Sequence, residues 1–199
     1  MPEMIRILCE GLATVLLALI CTRFLCKNMK KRDFRFVPWL PYVLTGCGSA
    51  MLFMLGGLSP WTFCGIAFLF VLLYASVQDH STHEADDILS VMILMLAVTN
   101  ISEATVLSQL LGAAIVCGAQ MLIALCGKKR MGIGGADIKL STAAALLLGF
   151  YKGVIGFMLG LLIAVVAQLI MTHRKKEQRT QPFALLPYLS VGFIIGYLI

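Results

Sequence analysis

The chain has 199 residues, 60% of them hydrophobic and 13% charged, with a mean hydropathy of +0.93. Soluble domains carry roughly 25% charge and 45–50% apolar residues, so a soluble globular protein is excluded. The net charge of +6 resides in short basic clusters between apolar runs, the pattern by which a polytopic membrane protein fixes its orientation, and this excludes nucleic acid as a partner.

In chain order, apolar runs bounded by charge, Gly or Pro predict eight membrane segments, at 4–22, 38–57, 60–78, 88–100, 103–126, 138–150, 153–172 and 183–199. Two are short: Ile88 to Asn100 and Ile138 to Phe150 have 13 residues each. At 1.5 Å per residue that is about 20 Å of helix, against a ~30 Å hydrocarbon core. The expected fold is an all-α polytopic bundle, one membrane-embedded domain over 1–199. The first run, Met4 to Thr22, has no basic flank before it and no A-x-A site after it, and is expected to be a retained helix.

Of sixteen Lys and Arg residues, fourteen lie in Arg23 to Arg35, Lys128 to Lys139 and Arg174 to Arg179, which alternation of the segments places on one side. The positive-inside rule makes that side cytoplasmic, in an inner (cytoplasmic) membrane, and puts both termini outside. The turn Gly56-Gly57-Leu58-Ser59-Pro60 is the first on the outer side. The seven cysteines are odd in number, mostly within apolar runs and without a CxxC pair, and read as reduced core residues.

The segment Asp79-His80-Ser81-Thr82-His83-Glu84-Ala85-Asp86-Asp87 has four carboxylates and no Lys or Arg, on a face otherwise basic. Asp79 directly follows the apolar run Thr62 to Gln78, which places its carboxylate at the end of a spanning helix, where ionisable groups are expensive and mark function. A hydrated helix-end aspartate is the competing reading. Asp86 and Asp87 precede the run Ile88 to Val98, and aspartate there is a preferred N-cap. Glu84 and Asp86 belong to the only negative feature on this otherwise positive face.

The second locus is Met131-Gly132-Ile133-Gly134-Gly135-Ala136-Asp137-Ile138-Lys139-Leu140, a glycine-rich loop leading through one aspartate into an apolar run. An N-cap preceded by flexible glycines is again the plain reading. Phosphate binding is discounted, because the P-loop Lys-Ser/Thr pair is absent and Asp137 repels anions. Gly134 and Gly135 allow another backbone to approach closely, and they present Asp137 on the same face as Asp79. Two carboxylates meeting at one membrane interface form the constellation of an aspartic protease.

The string Gly-Gly-Ala-Asp-Ile-Lys-Leu at 134–140 resembles the GxGD-x-K-L segment of type IV prepilin peptidases, the membrane aspartic proteases that remove leader peptides from pilin and pseudopilin precursors. Two further stretches keep that family's order. Leu69 to Asp79 resembles its apolar helix ending in the first catalytic aspartate, and Pro182-Phe183-Ala184 through Gly192 resembles its closing Pro-Phe-Gly-Pro helix. Ala136 replaces the family's second motif glycine, and Asp86-Asp87 stands where the family has Pro followed by Asn or Asp. The resemblance covers 38–199 and does not extend to the zinc module and methyltransferase activity of long members, because only the short basic loop Arg23 to Val37 stands in that place.

The resemblance implies an endopeptidase in which Asp79 and Asp137 are catalytic, and a protein substrate, a pilin or pseudopilin precursor with a basic leader that Glu84 and Asp86 attract, cut at the cytoplasmic face. Lys139 comes with the motif, to steady an ionised aspartate or contact substrate, although a cation snorkelling to headgroups is the plain alternative. No cofactor and no metal is expected: His80, His83 and Glu84 have suggestive spacing, yet no HExxH helix is present and His173 is the only other histidine. Glu10, Glu103, Gln109, Gln120 and Gln168 are expected as interhelical hydrogen-bond partners. The rival from another class is a small proton-coupled transporter using the same aspartates as a relay, against which both lie at one interface and no inverted repeat shows.

Overall fold

The computed structural model describes residues 2–34, 36–82, 85–99, 103–126, 134–174 and 184–199. Among the described residues eight helices follow one another: α1 (Pro2–Lys31), α2 (Leu40–Gly56), α3 (Pro60–Thr82), α4 (Asp87–Thr99), α5 (Glu103–Cys126), α6 (Gly135–Leu148), α7 (Phe150–Arg174) and α8 (Leu186–Leu198). Four carry stretches long and apolar enough to cross a membrane, Arg6–Lys31, Pro60–Thr82, Val106–Leu125 and Phe150–Met171. With α2, α4, α6 and α8 shorter, this is a polytopic helical membrane bundle. Where the sequence marks two short segments, four of the eight helices are short, with α4 and α6 at 13 and 14 residues among them.

The largest departure from expectation is the basic loop Arg23 to Val37, most of which is helix. Nothing between Thr22 and Lys31 breaks the pattern, Met29 is fully buried, and Lys30 and Lys31 in the last turn complement the negative end of the macrodipole. The stop comes at Asp33, which takes the left-handed conformation (φ 56°). There the Phe34 N–H donates to the Met29 carbonyl and the Asp33 N–H to the Lys30 carbonyl, both at 3.2 Å, the paired bonds of a Schellman motif.

Turns elsewhere fall where glycine signals them. Gly57 (φ 58°) ends α2 with its N–H on the Phe53 carbonyl at 2.8 Å, and the Thr62 hydroxyl donates back to the Gly57 carbonyl at 2.8 Å. Gly149 (φ 80°) is the one residue between α6 and α7. Ser108 of α5 accepts the Phe150 N–H at 3.0 Å, so a donor orphaned at the start of α7 is satisfied from a neighbouring helix.

The buried centre is built on α3, where Phe68, Leu72 and Ala75 meet Ile93 and Ala97 of α4, Leu140 and Ala144 of α6, and Leu189 and Phe193 of α8. The α7 and α8 backbones come into direct contact: a Cβ on Gly192 would collide with the Gly156 carbonyl and the Gly160 backbone. Such small-residue contacts let membrane helices gain van der Waals packing where the hydrophobic effect gives no preference between helix and lipid. Large apolar side chains left exposed on α1, α5 and α7, such as Leu16, Leu122 and Leu162, form the lipid-facing exterior.

Candidate active site

Asp79 lies in the last turn of α3 and is only 5% exposed. Its Oδ2 accepts the backbone N–H of Leu186 at 3.1 Å. Leu186 is the first residue of α8, whose opening turn has no side-chain cap and carries Pro187. The N–H groups of a first helical turn have no intrahelical acceptor and the dipole there attracts a carboxylate, so Asp79 serves as the cap that α8 does not supply for itself. Leu186 was not singled out by sequence reasoning. The available signal is Pro187 itself, since proline just inside a helix start marks the place where free N–H groups await a partner.

Asp137 occupies the first turn of α6 and is half-buried. Gly134 is the N-cap, extended at φ −63° and ψ 140° with no side chain to offer. The Asp137 carboxylate reaches back to the Gly134 backbone N–H, the N3-to-N-cap half of a capping box. Gly134 and Gly135 are exposed. A Cβ on Gly134 would stand 3.5 Å from Asp137 Oδ2, whereas one on Gly135 would meet open space. A Cβ at 134 therefore touches the carboxylate, and one at 135 does not.

The two aspartates, 58 residues apart in sequence, come close enough for the charge of Asp79 to act on Asp137. Behind Asp137 lies a second layer. The Ser141 hydroxyl is bonded to the Asp137 carbonyl at 2.6 Å and to Gln120 Oε1 of α5 at 2.7 Å, with Ser141 and Gln120 both fully buried. Gln120 is thus an interhelical partner as its sequence position suggests. Glu10, by contrast, pairs with Arg6 on its own helix at 2.9 Å.

The remaining candidates form a rim. Lys139 Nζ holds both carboxylate oxygens of Asp87, at 2.9 and 2.8 Å, and Arg32, in the turn just after α1, donates to Asp86 Oδ2 at 3.0 Å. The start of α4 is therefore clasped from α6 on one side and from the turn after α1 on the other. Asp86 also gives its carbonyl to the Leu89 N–H at 3.0 Å. His80 is exposed beside Asp79. Glu84 and His83 lie outside the described residues, as do Gly132 and Pro182-Phe183 of the family-like stretches. Among the described residues, no three His, Cys, Asp or Glu side chains gather as a metal site would require.

No curated protein and no solved structure matches the chain. Residues 66–173, more than half of the sequence, match the model of the Type IV leader peptidase family. That stretch begins within α3 ahead of Asp79, takes in the α6 turn that carries Asp137, and ends near the close of α7. The chain belongs to the type IV leader peptidase family.

Proposed function

We propose that this protein is a membrane aspartic endopeptidase that cleaves the basic leader from a type IV pilin-like precursor, with Asp79 and Asp137 as the catalytic pair. The observation that carries this reading is the pairing of two carboxylates from different helices, inside the stretch that matches the family. Two such groups close together cannot both be charged without penalty, so they share a proton. The charged carboxylate takes a proton from water as its oxygen attacks the peptide carbonyl, and the protonated one gives its proton to the carbonyl oxygen. Collapse of the tetrahedral intermediate breaks the C–N bond, a proton passes to the leaving nitrogen, and the pair returns to its single-proton state.

The supporting parts have matching tasks. Leu186 fixes the Asp79 oxygen, the Gly134 N–H fixes Asp137, and the side-chain-free surface at 134–135 admits an extended backbone beside it. Glu84 and Asp86 draw the basic leader, and the cut lies at the cytoplasmic face of the inner membrane. Because one carboxylate must be charged and the other protonated, kcat/KM is bell-shaped in pH, with limbs belonging to the pair.

The test is co-expression with a precursor bearing a basic leader ahead of an apolar helix. Wild type shortens the precursor, while Asp79→Asn and Asp137→Asn leave it full length. Removing a general acid or base costs about 10²- to 10⁴-fold in rate. A precursor that stays uncut by wild type, or is cut as well by either variant, contradicts this reading.

A further inference from the structure

On the face of α3 away from α4, α2 and α8 both pack on α3 but scarcely on each other among the described residues. Between them lies an open groove of about 920 Å³. Its floor is Leu69, Leu73, Ser76, Val77 and His80, a spacing of 4, 7, 8 and 11 that keeps all five on one helix face. Leu44 and Met51 of α2 and Val191 and Ile195 of α8 belong to its walls, and each is 37–52% exposed. From Leu69 to His80 the floor runs about 16 Å, or three helical turns.

The position of the groove's end decides what it holds. Its floor stops at His80, the neighbour of Asp79, and its α8 wall starts at Pro187, the neighbour of the residue whose N–H holds Asp79. Its hydroxyls lie toward that end, with Ser76 and Ser190 paired at 2.8 Å. A protein chain in the hydrocarbon layer must satisfy its own backbone and does so as a helix. Where such a helix opens into an extended strand, its first N–H groups lose their intrahelical acceptors and need polar partners. A groove apolar along most of its length, with hydroxyls and an imidazole where it meets Asp79, supplies the surfaces such a segment requires in that order.

We propose that the α2–α3–α8 groove seats the apolar membrane helix of the protein substrate, so that the chain leaving that helix passes directly to Asp79. This rests on the peptidase reading and adds the direction of approach: substrate enters sideways from the lipid, between α2 and α8. Groove contacts are made equally before and during the reaction, so they act on KM and leave kcat alone.

The experiment uses the full chain in native membranes with its own cysteines replaced, and a precursor made of a basic leader followed by an apolar helix carrying single cysteines. Leu44→Cys and Val191→Cys are expected to form disulfides with precursor positions recurring every three to four residues. Leu107→Cys and Met158→Cys, exposed on α5 and α7, are expected to form none. In parallel, Leu44→Trp and Val191→Trp raise KM for this precursor at least tenfold with kcat within twofold, and cut a soluble peptide lacking the apolar helix as wild type does. Equal crosslinking at all four positions, or none at 44 and 191 while cleavage proceeds, overturns the groove assignment and leaves the space to lipid. Groove crosslinks to a precursor that is never cut uphold the docking surface and overturn the peptidase reading instead.

Discussion

Leu186 gives its backbone N–H to Asp79 Oδ2 at 3.1 Å, so a carboxylate in the last turn of α3 caps the start of α8. The same oxygen proposed to take part in proton transfer is a structural acceptor, and its two roles separate by substitution. Asn keeps an oxygen in place and Ala does not. Asp79→Asn is expected to hold the wild-type unfolding temperature in detergent while losing cleavage. Asp79→Ala is expected to lose cleavage and about 1–3 kcal/mol of stability as well, the cost of a buried donor left unpaired. Equal thermal stability of the two variants contradicts the capping role.

The α7–α8 contact fixes the helix whose first residue is Leu186. A methyl on Gly192 would press into the Gly156 carbonyl and the Gly160 backbone, neither of which is a flexible side-chain end. Gly192→Ala is expected to destabilise by about 1–3 kcal/mol, the usual cost of overpacking. Gly118→Ala, where an added Cβ meets nothing within 4 Å, is the matched control and is expected to show no loss. Thermal unfolding of the two in the same detergent decides the point.

Two adjacent glycines are expected to behave differently. A Cβ at Gly134 already touches Asp137 Oδ2, which a branched side chain would crowd, and one at Gly135 meets open space. Gly134→Val is expected to lower kcat at least tenfold. Gly135→Ala puts a methyl on the surface proposed to admit substrate, so it is expected to raise KM while keeping kcat within twofold, with a gain in helix propensity of up to about 1 kcal/mol. Initial rates on a precursor peptide, with unfolding curves beside them, test both.

Much of this arrangement is legible in the sequence. Charge, glycine and proline bracket the apolar runs closely enough that all eight helices among the described residues start within three residues of their expected places, and both aspartates stand out because an acid at the end of an apolar run is anomalous. The end of α1 is not legible as a run boundary, because Arg and Lys are good helix formers and a basic cluster reads alike as loop or as last turns; only the left-handed Asp33 marks the stop. The partners of Lys139 and Asp79 are hidden for another reason. Lys139 lies two residues from Asp137 in sequence but reaches Asp87, 52 residues away, and the Leu186 N–H is a backbone group that no side-chain pattern advertises. Both depend on how helices pack, which periodicity does not encode.

The Lys139–Asp87 pair is well formed yet open to solvent, with 59% and 67% of the two side chains exposed. Exposed pairs contribute under about 1 kcal/mol, and less as salt rises. Lys139→Met is therefore expected to change stability by no more than about 1 kcal/mol. The exchanged double variant Asp87→Lys with Lys139→Asp is expected to recover the loss. A double-mutant cycle at low and high ionic strength measures the coupling, and a coupling unchanged by salt contradicts a solvent-exposed pair.

The most direct test of the proposed shared-proton pair is a single-turnover cleavage rate on one precursor, for wild type, Asp79→Asn, Asp137→Asn and the double variant, each confirmed folded by its unfolding temperature. Groups that act as a unit are non-additive. Each single variant is expected to lose about as much rate as the double, on the order of 10²- to 10⁴-fold or more. Losses that multiply as independent effects, or a single variant retaining near-wild-type rate, would contradict the pair as the catalytic centre.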